Sequence, residues 1–309
     1  MSGFFCACNL FEVGIVKPAK PNIMRLLLLS FIFSINSFGQ QDPLLRTDGF
    51  TPFWNNPASY GARNLMGVNT AGRLQWPSLS GQMQSLLINA DFALWMYNKV
   101  DNSLPTNGGI GLMYSYDNIG FLSTHHLKIP INYKFRFEHS NLALGAGLGF
   151  RNQGFDNFTF GDSVSTTARQ TNFDMDAGLF YNHEQFYVGF SVTQLTAPYY
   201  DVISYQGTRH YYLQGGYQFD LGKVKIYPQT QLAYVNGFQG AWLMNYLQFW
   251  EEKVSLGLGL GSGSTFMGAL RLNWNQWSVN YVYEVNNGPL TNASGASHEL
   301  RLAFEIKQN

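Results

Sequence analysis

From residue 65 onward the chain alternates large apolar side chains with small or polar ones at period two. In "NLALGAGLGF" (141–150), Leu142, Leu144, Ala146, Leu148 and Phe150 share one face and Gly145, Gly147 and Gly149 the other. Phe173, Met175, Ala177, Leu179 and Tyr181 alternate with Asp174, Asp176 and Gly178. Phe186, Val188, Phe190 and Val192 alternate with Gln185, Tyr187, Gly189 and Ser191. Leu300, Leu302, Phe304 and Ile306 do the same against Glu299, Arg301, Ala303 and Glu305. The run "SLGLGLGS" (255–262) is the barest case, with Leu256, Leu258 and Leu260 against Gly257, Gly259 and Gly261. Period two is the signature of strands, and no segment carries a helical stripe.

A soluble sandwich also alternates, but its large residues face a protein core. Here the apolar segments have about the length a tilted strand needs to cross the hydrocarbon layer, roughly 9–11 residues. Trp274 and Trp277 flank a tight turn, where rings suit the membrane interface. The second face is Gly, Ser, Asn, Gln and paired charges, which suits a wet or filled lumen. The pattern predicts an all-β transmembrane antiparallel β-barrel of about 14 strands, within roughly 12–16. The first strand falls near 66–76. Short inner turns fall at 275–276, 251–252, 220–222, 182–184 and 138–140. Longer outer loops fall at 286–297, near 262 and 237, at 195–208 and at 152–171. The stretch 99–108 is long for an inner turn.

Composition agrees with that reading. The 309 residues are 45% hydrophobic and 16% aromatic but only 12% charged, against about a quarter charged in an ordinary soluble domain. Mean hydropathy is nevertheless slightly negative, as expected when an apolar and a polar face cancel. Nineteen basic residues balance nineteen acidic ones, which argues against nucleic acid as a partner.

Residues 24–41, "MRLLLLSFIFSINSFGQQ", read as a Sec signal peptide: one cation, an apolar core over 26–35, then Ser37 and Gly39 before a cut. An N-terminal anchor helix is the alternative. Met24 is the better initiator, and residues 1–39 form an upstream extension plus signal peptide. Cys6 and Cys8, the only two cysteines, lie within it, so the mature chain has no disulfide framework and no thiolate metal site. Two further divisions follow: a plug or docking segment at 40–64 and the barrel at 65–309. Residues 42–64 show no alternation, and Pro43, Pro52 and Pro57 exclude a central strand. They hold Phe50, Phe53, Trp54 and Tyr60, more aromatic surface than a free tail should carry. Such rings gain about 1.5–3 kcal/mol each on burial, so the segment is expected to fold into the periplasmic mouth of the barrel, against its glycine-lined wall; a flexible periplasmic tether is the alternative.

Catalytic and metal chemistry finds little footing. His298 and Glu299, with Ser294 or Ser297 nearby, could be half of a hydrolytic site, but neighbours on a strand point to opposite faces. The pair instead reads as the start of a strand at the membrane edge. His125 and His126 fail as a metal pair for the same reason. Asp174 and Asp176 share a face about 7 Å apart; a lumen pair meeting Arg271 or Arg301 explains them better than calcium. No phosphate-cradling GxxxxGK loop occurs, and the glycines of "GLGLGSGS" sit in a strand with no helix following. No catalytic, cofactor-binding or metal-ligating residue is assigned, and no cofactor is expected.

Several motifs together carry a family resemblance: "QQDPLLRTDGFTPFWNNPASYGARN" (40–64), "RLQWPSLSGQMQS" (73–85), "GGIGLMYSYDNIG" (108–120) and a final Ser-His-Glu strand. The chain resembles the PorP/SprF family, outer-membrane proteins of the Bacteroidetes type IX secretion and gliding machinery. The matching positions are Asn56, Pro57 and Ala58, Gln75 and Trp76, and Ser297, His298 and Glu299. The resemblance implies a non-enzymatic barrel in the Gram-negative outer membrane that helps export or anchor surface proteins. Its partners would be outer-membrane lipid, other secretion-system proteins and secreted cargo. A FadL-like transport porin is the main alternative, and an outer-membrane lipase or acyltransferase a third. If the cleavage site is read correctly, N-terminal sequencing of the mature protein begins at Gln40; a start before Leu26 would contradict it.

Overall fold

The computed structural model describes residues 45–47, 54–61, 65–78, 82–95, 106–160, 163–287 and 295–307. The expected signal peptide, both cysteines, Phe50, Phe53 and Ser294 lie outside them. The barrel strands are β1 (Leu65–Gln75), β2 (Met83–Trp95), β3 (Thr106–Ile119), β4 (Leu122–Arg136), β5 (Ser140–Phe160), β6 (Ser163–His183), β7 (Phe186–Thr193), β8 (His210–Tyr217), β9 (Val224–Val235), β10 (Phe238–Phe249), β11 (Val254–Gly261), β12 (Thr265–Trp274), β13 (Trp277–Asn286) and β14 (Ser297–Lys307). The sheet has 15 strands, one of which, Phe219–Asp220, is a two-residue appendage to β9. The remaining 14 form a ring. Each pairs antiparallel with the next, β7 with β8 and β8 with β9 included. The ring closes where β14 pairs with β1, with Thr70 opposite Leu302 and Arg73 opposite Glu299.

Closure leaves no edge, so backbone groups of the ring pair without water. The start of β1 and the end of β14 lie at the same end of the barrel, called here the lower end. The turns there are short at 137–139, 184–185, 250–253 and 275–276. One expectation is corrected. Residues 152–171, expected as a loop, are mostly strand: β5 and β6 run 21 residues each. Their hairpin continues upward past Phe155, the last β5 residue paired with β4. Conversely, the upper connection between β3 and β4 is only Gly120 and Phe121.

The alternation sorts side chains as the pattern requires. Leu256, Leu258 and Leu260 point outward, Leu258 being 76% exposed. Val68, Leu112, Ile129, Leu148, Phe190, Leu243 and Leu302 lie on the same outer surface. Asn89, Asp91, Lys128, Arg151, Asp174, Glu299 and Arg301 are buried on the inner one. Among the described residues no helix is long and apolar enough to cross a membrane; the strands supply the crossing.

The bare glycines of β11 make room on the inner face for neighbouring side chains. A Cβ on Gly257 would press on Tyr246 and Ala269, and one on Gly259 on Met244 and Met267. Those side chains join Trp242 and Val282 in an apolar cluster inside the barrel. The β11 wall therefore makes room for its neighbours' side chains. Leu258→Arg is expected to lower stability by about 2–4 kcal/mol, the range for a cation on the lipid face near the midplane. Equilibrium folding into lipid vesicles measures it, and an unchanged stability would contradict the outward placement.

Candidate functional site

Asn56, Pro57 and Ala58 open a short 3-10 turn, Pro57–Ser59, inside the lower half of the barrel. Pro57 suits the first position because its missing N–H would be unpaired there anyway. Asn56 caps the turn: its Oδ1 accepts the Ala58 N–H at 3.0 Å, and its main-chain carbonyl accepts the Ser59 N–H at 3.1 Å and hydroxyl at 2.7 Å. The same Asn56 side chain donates Nδ2–H to the Leu179 carbonyl on β6 at 3.0 Å.

The wall answers this turn group by group. Asn132 on β4 donates Nδ2–H to the carbonyls of Pro57 at 3.2 Å and Tyr60 at 2.7 Å. Asp91 on β2 accepts the Gly61 N–H at 2.5 Å, and Lys134 donates to the Gly61 carbonyl. Ala58, Ser59 and Tyr60 are fully buried. The contact surface is glycine. A Cβ on Gly109 would overlap the Tyr60 carbonyl, and one on Gly111 the Tyr60 ring. One on Gly145 would overlap the Pro57–Ala58 backbone, and ones on Gly178 and Gly189 the Asn56 amide. Glycine lets one backbone approach another this closely. Gly61 itself has φ of 64° and lies against the backbone of Gly109 and Ala93.

A second contact lies in the upper half. Glu299 on β14 accepts the Arg46 N–H at 2.9 Å, the Thr47 N–H at 2.7 Å and the Thr47 hydroxyl at 2.5 Å. Arg73 on β1 reaches Glu299 and Glu284 at 3.1 Å each. The Arg46 guanidinium meets Glu284 through Nε at 2.9 Å. Leu45, beside this network, is buried with Trp54, Ala71, Leu87 and Met113. Arg46 and Thr47 thus dock near the upper ends of β1, β13 and β14, whereas the turn docks among the lower ends of β2 to β7. The described parts of the N-terminal segment span the lumen lengthwise, further than the mouth in which the sequence placed them.

A third cluster lines the middle of the lumen. Lys128 pairs with Asp176, and Arg151 with Asp174 at 3.3 Å. His126 Nε2 lies 3.6 Å from Asp174. The aspartates meet cations as expected, but from β4 and β5 rather than Arg271 or Arg301. A small cavity between this cluster and the segment is lined by Trp54, Asn55, Met113, His126, Lys128, Arg151 and Thr193. Among the described residues no group of three or more His, Cys, Asp or Glu could hold a metal.

The motif residues fall into two groups at opposite ends. Asn56, Pro57 and Ala58 form the lower contact. Gln75, Trp76, Ser297, His298 and Glu299 lie at the upper ends of β1 and β14, and among the described residues only Glu299 of these holds the segment. Gln75 accepts from Arg73 Nε at 3.3 Å. Ser297 is buried opposite Glu284. His298 points away from Glu299 and shares a 2.7 Å hydrogen bond with the Tyr281 hydroxyl. Glu299 is therefore no membrane-edge residue; it is the acceptor at the centre of the upper network. Arg46, Thr47, Arg73, Asp91, Asn132, Lys134 and Glu284 were not singled out in the sequence. For the five strand residues, a charged or amide side chain on the lumen face was the available signal.

The family model described as "Type IX secretion system membrane protein PorP/SprF" matches residues 37–304. The chain belongs to the PorP/SprF family. With its closed ring of membrane-length strands, this family member is a β-barrel of the outer membrane. No curated protein matches it in sequence. Among solved structures it is similar to the Acinetobacter baumannii outer membrane protein Omp33, at 10% identity and a TM-score of 0.45, covering 78% of this chain and 98% of that one. CdiB from Escherichia coli matches at 12% identity and 0.45, covering 77% and 63%. The TodX deltaS2S3 mutant monoaromatic hydrocarbon channel matches at 6% identity and 0.46, covering 90% and 98%.

Replacing Gly145 by Val places a branched side chain in the backbone of Pro57 and Ala58. The PorP/SprF barrel should still form, but trypsin should then cut at Arg46 faster than in the unmodified protein. Asn56→Ala strands the buried Ala58 N–H and should cost about 1–3 kcal/mol. Equal cutting rates in all three proteins would contradict the docked segment.

Proposed function

We propose that this PorP/SprF protein is a non-enzymatic outer-membrane component of type IX secretion that assists the export or surface anchoring of secreted proteins. The observation that carries the reading is the built fit between the N-terminal segment and the lumen wall. A transport pore needs a passage for solute. Here five glycines, Asp91, Asn132 and Lys134 are committed to holding the chain's own backbone inside the barrel. A barrel so occupied serves better as a stable platform in the membrane than as a conduit. In this reading residues 1–39 are removed, 40–64 act as a plug, and 65–309 form the platform. The lower end, with both strand termini and short turns, faces the periplasm. Its outer belt of Leu, Phe, Val and Ile contacts lipid, and other secretion-system proteins and cargo contact its ends.

Two measurements test the reading. Affinity purification of the detergent-solubilised protein from its native membrane should retain secretion-system proteins, and deletion of the gene should release exported proteins into the medium. In planar bilayers the purified barrel should show no steady conductance. A stable open channel, with secretion and anchoring unchanged by the deletion, would favour the FadL-like porin instead.

A further inference from the structure

The upper network has the form of a peptide-binding site with its ligand in place. Three consecutive residues of the N-terminal segment are read separately. Leu45 enters the apolar cluster of Trp54, Ala71, Leu87 and Met113. Arg46 presents its guanidinium to Glu284. Thr47 gives its hydroxyl to Glu299, which also gathers the two successive main-chain N–H groups. Main-chain contacts that ignore sequence, joined to side-chain contacts that read it, are the usual elements of peptide recognition.

The wall does not need this occupant for its own charge balance. Arg73 alone bridges Glu284 and Glu299. Without Arg46 the three wall residues would keep one cation between two carboxylates, a net charge of −1: Glu284 would lose its pair with Arg46, but each carboxylate would keep its pair with Arg73. Removing one partner of a buried pair is costly when the other is stranded; here Arg73 stays on both carboxylates and keeps either from being left without a cation. The occupant is also incompletely held, since the buried Arg46 Nη1 has no hydrogen-bond partner among the described residues. The lower contact is different in kind. There the main-chain turn fills glycine-lined hollows, and leaving would empty them.

We propose that Glu284, Glu299 and Arg73 form a receptor site in the lumen for an extended segment of apolar–basic–hydroxyl sequence. Leu45, Arg46 and Thr47 occupy it in cis, and a partner protein's segment of the same chemistry takes their place while the Pro57–Ser59 turn stays anchored. The identity of that partner as a secretion component or cargo rests on the function proposed above; the site itself does not.

The test uses the folded full-length mature chain in detergent and a fluorescent synthetic peptide of its own residues 41–50, QDPLLRTDGF, read by fluorescence anisotropy. Arg46→Ala weakens the internal competitor without altering the wall. It should bind the peptide about tenfold more tightly than the unmodified protein, the effect of about 1.4 kcal/mol. A peptide with Glu in place of its Arg should lose that binding, as should Glu284→Gln introduced beside Arg46→Ala. The peptide substitution keeps the test decisive if the double variant fails to fold. Equal binding by Arg46→Ala and the unmodified protein, or equal binding of both peptides, would overturn the proposal. Export and anchoring in cells are read separately, so failure of the peptide measurement leaves the platform role standing and failure of the cell assays leaves the site standing.

Discussion

Most of the interior is organised by one steric requirement: the backbone of Pro57–Gly61 has to lie directly against the backbone of the barrel wall. Any side chain at Gly109, Gly111, Gly145, Gly178 or Gly189 would occupy the space that Asn56, Ala58 and Tyr60 fill. These glycines come from β3, β5, β6 and β7, so the hollow exists only once those strands are in register. A shift of one residue in any of them would move its glycine to the outer face. Closure of the ring and docking of the segment are thus linked. The hydrogen bonds of Asn132, Asp91 and Lys134 then satisfy main-chain groups that the fit has removed from water.

The charged lumen residues extend the same logic upward. A closed barrel of this size places many inward side chains in a confined space, and an isolated charge there is expensive. Arg73 with Glu284 and Glu299, Lys128 with Asp176, and Arg151 with Asp174 each meet an opposite charge from another strand. Removing Asp174 would take the buried Arg151 from its carboxylate, whereas Arg73 would keep Glu284 if Glu299 were removed. The lower contact gains from packing and the upper one from charge. That difference separates a fixed anchor at Asn56–Ala58 from an exchangeable contact at Arg46–Thr47.

The barrel was legible because its signal is local and repeats in every strand. Leu256–Leu260 and the strand from Ser297 show their outer face without knowledge of their neighbours, and alternating long and short connections fixed the parity of 14. The extension of β5 and β6 was missed because Asn152, Gly154, Asp156 and Asn157 look like loop residues, while pairing between the two strands imposes the extended form. Asn56, Pro57 and Ala58 were found through the family resemblance, and their burial follows from the aromatic content of the segment. The partners of Glu299 were not legible. Arg46 lies 253 positions away in a segment without periodicity, and only ring closure brings Arg73 opposite Glu299. The glycines of β11 attracted attention by number, yet those that receive the turn are scattered singly over four strands.

The most direct measurement of the central claim is amide hydrogen exchange of the folded barrel, followed by mass spectrometry over peptides covering residues 54–61. The N–H groups of Ala58, Ser59 and Gly61 are bonded within the lumen. They should exchange as slowly as those of the central strands β4 and β5. Exchange at the rate of an unstructured peptide, while the strands stay protected, would show that the segment does not occupy the barrel and would remove the basis of the account.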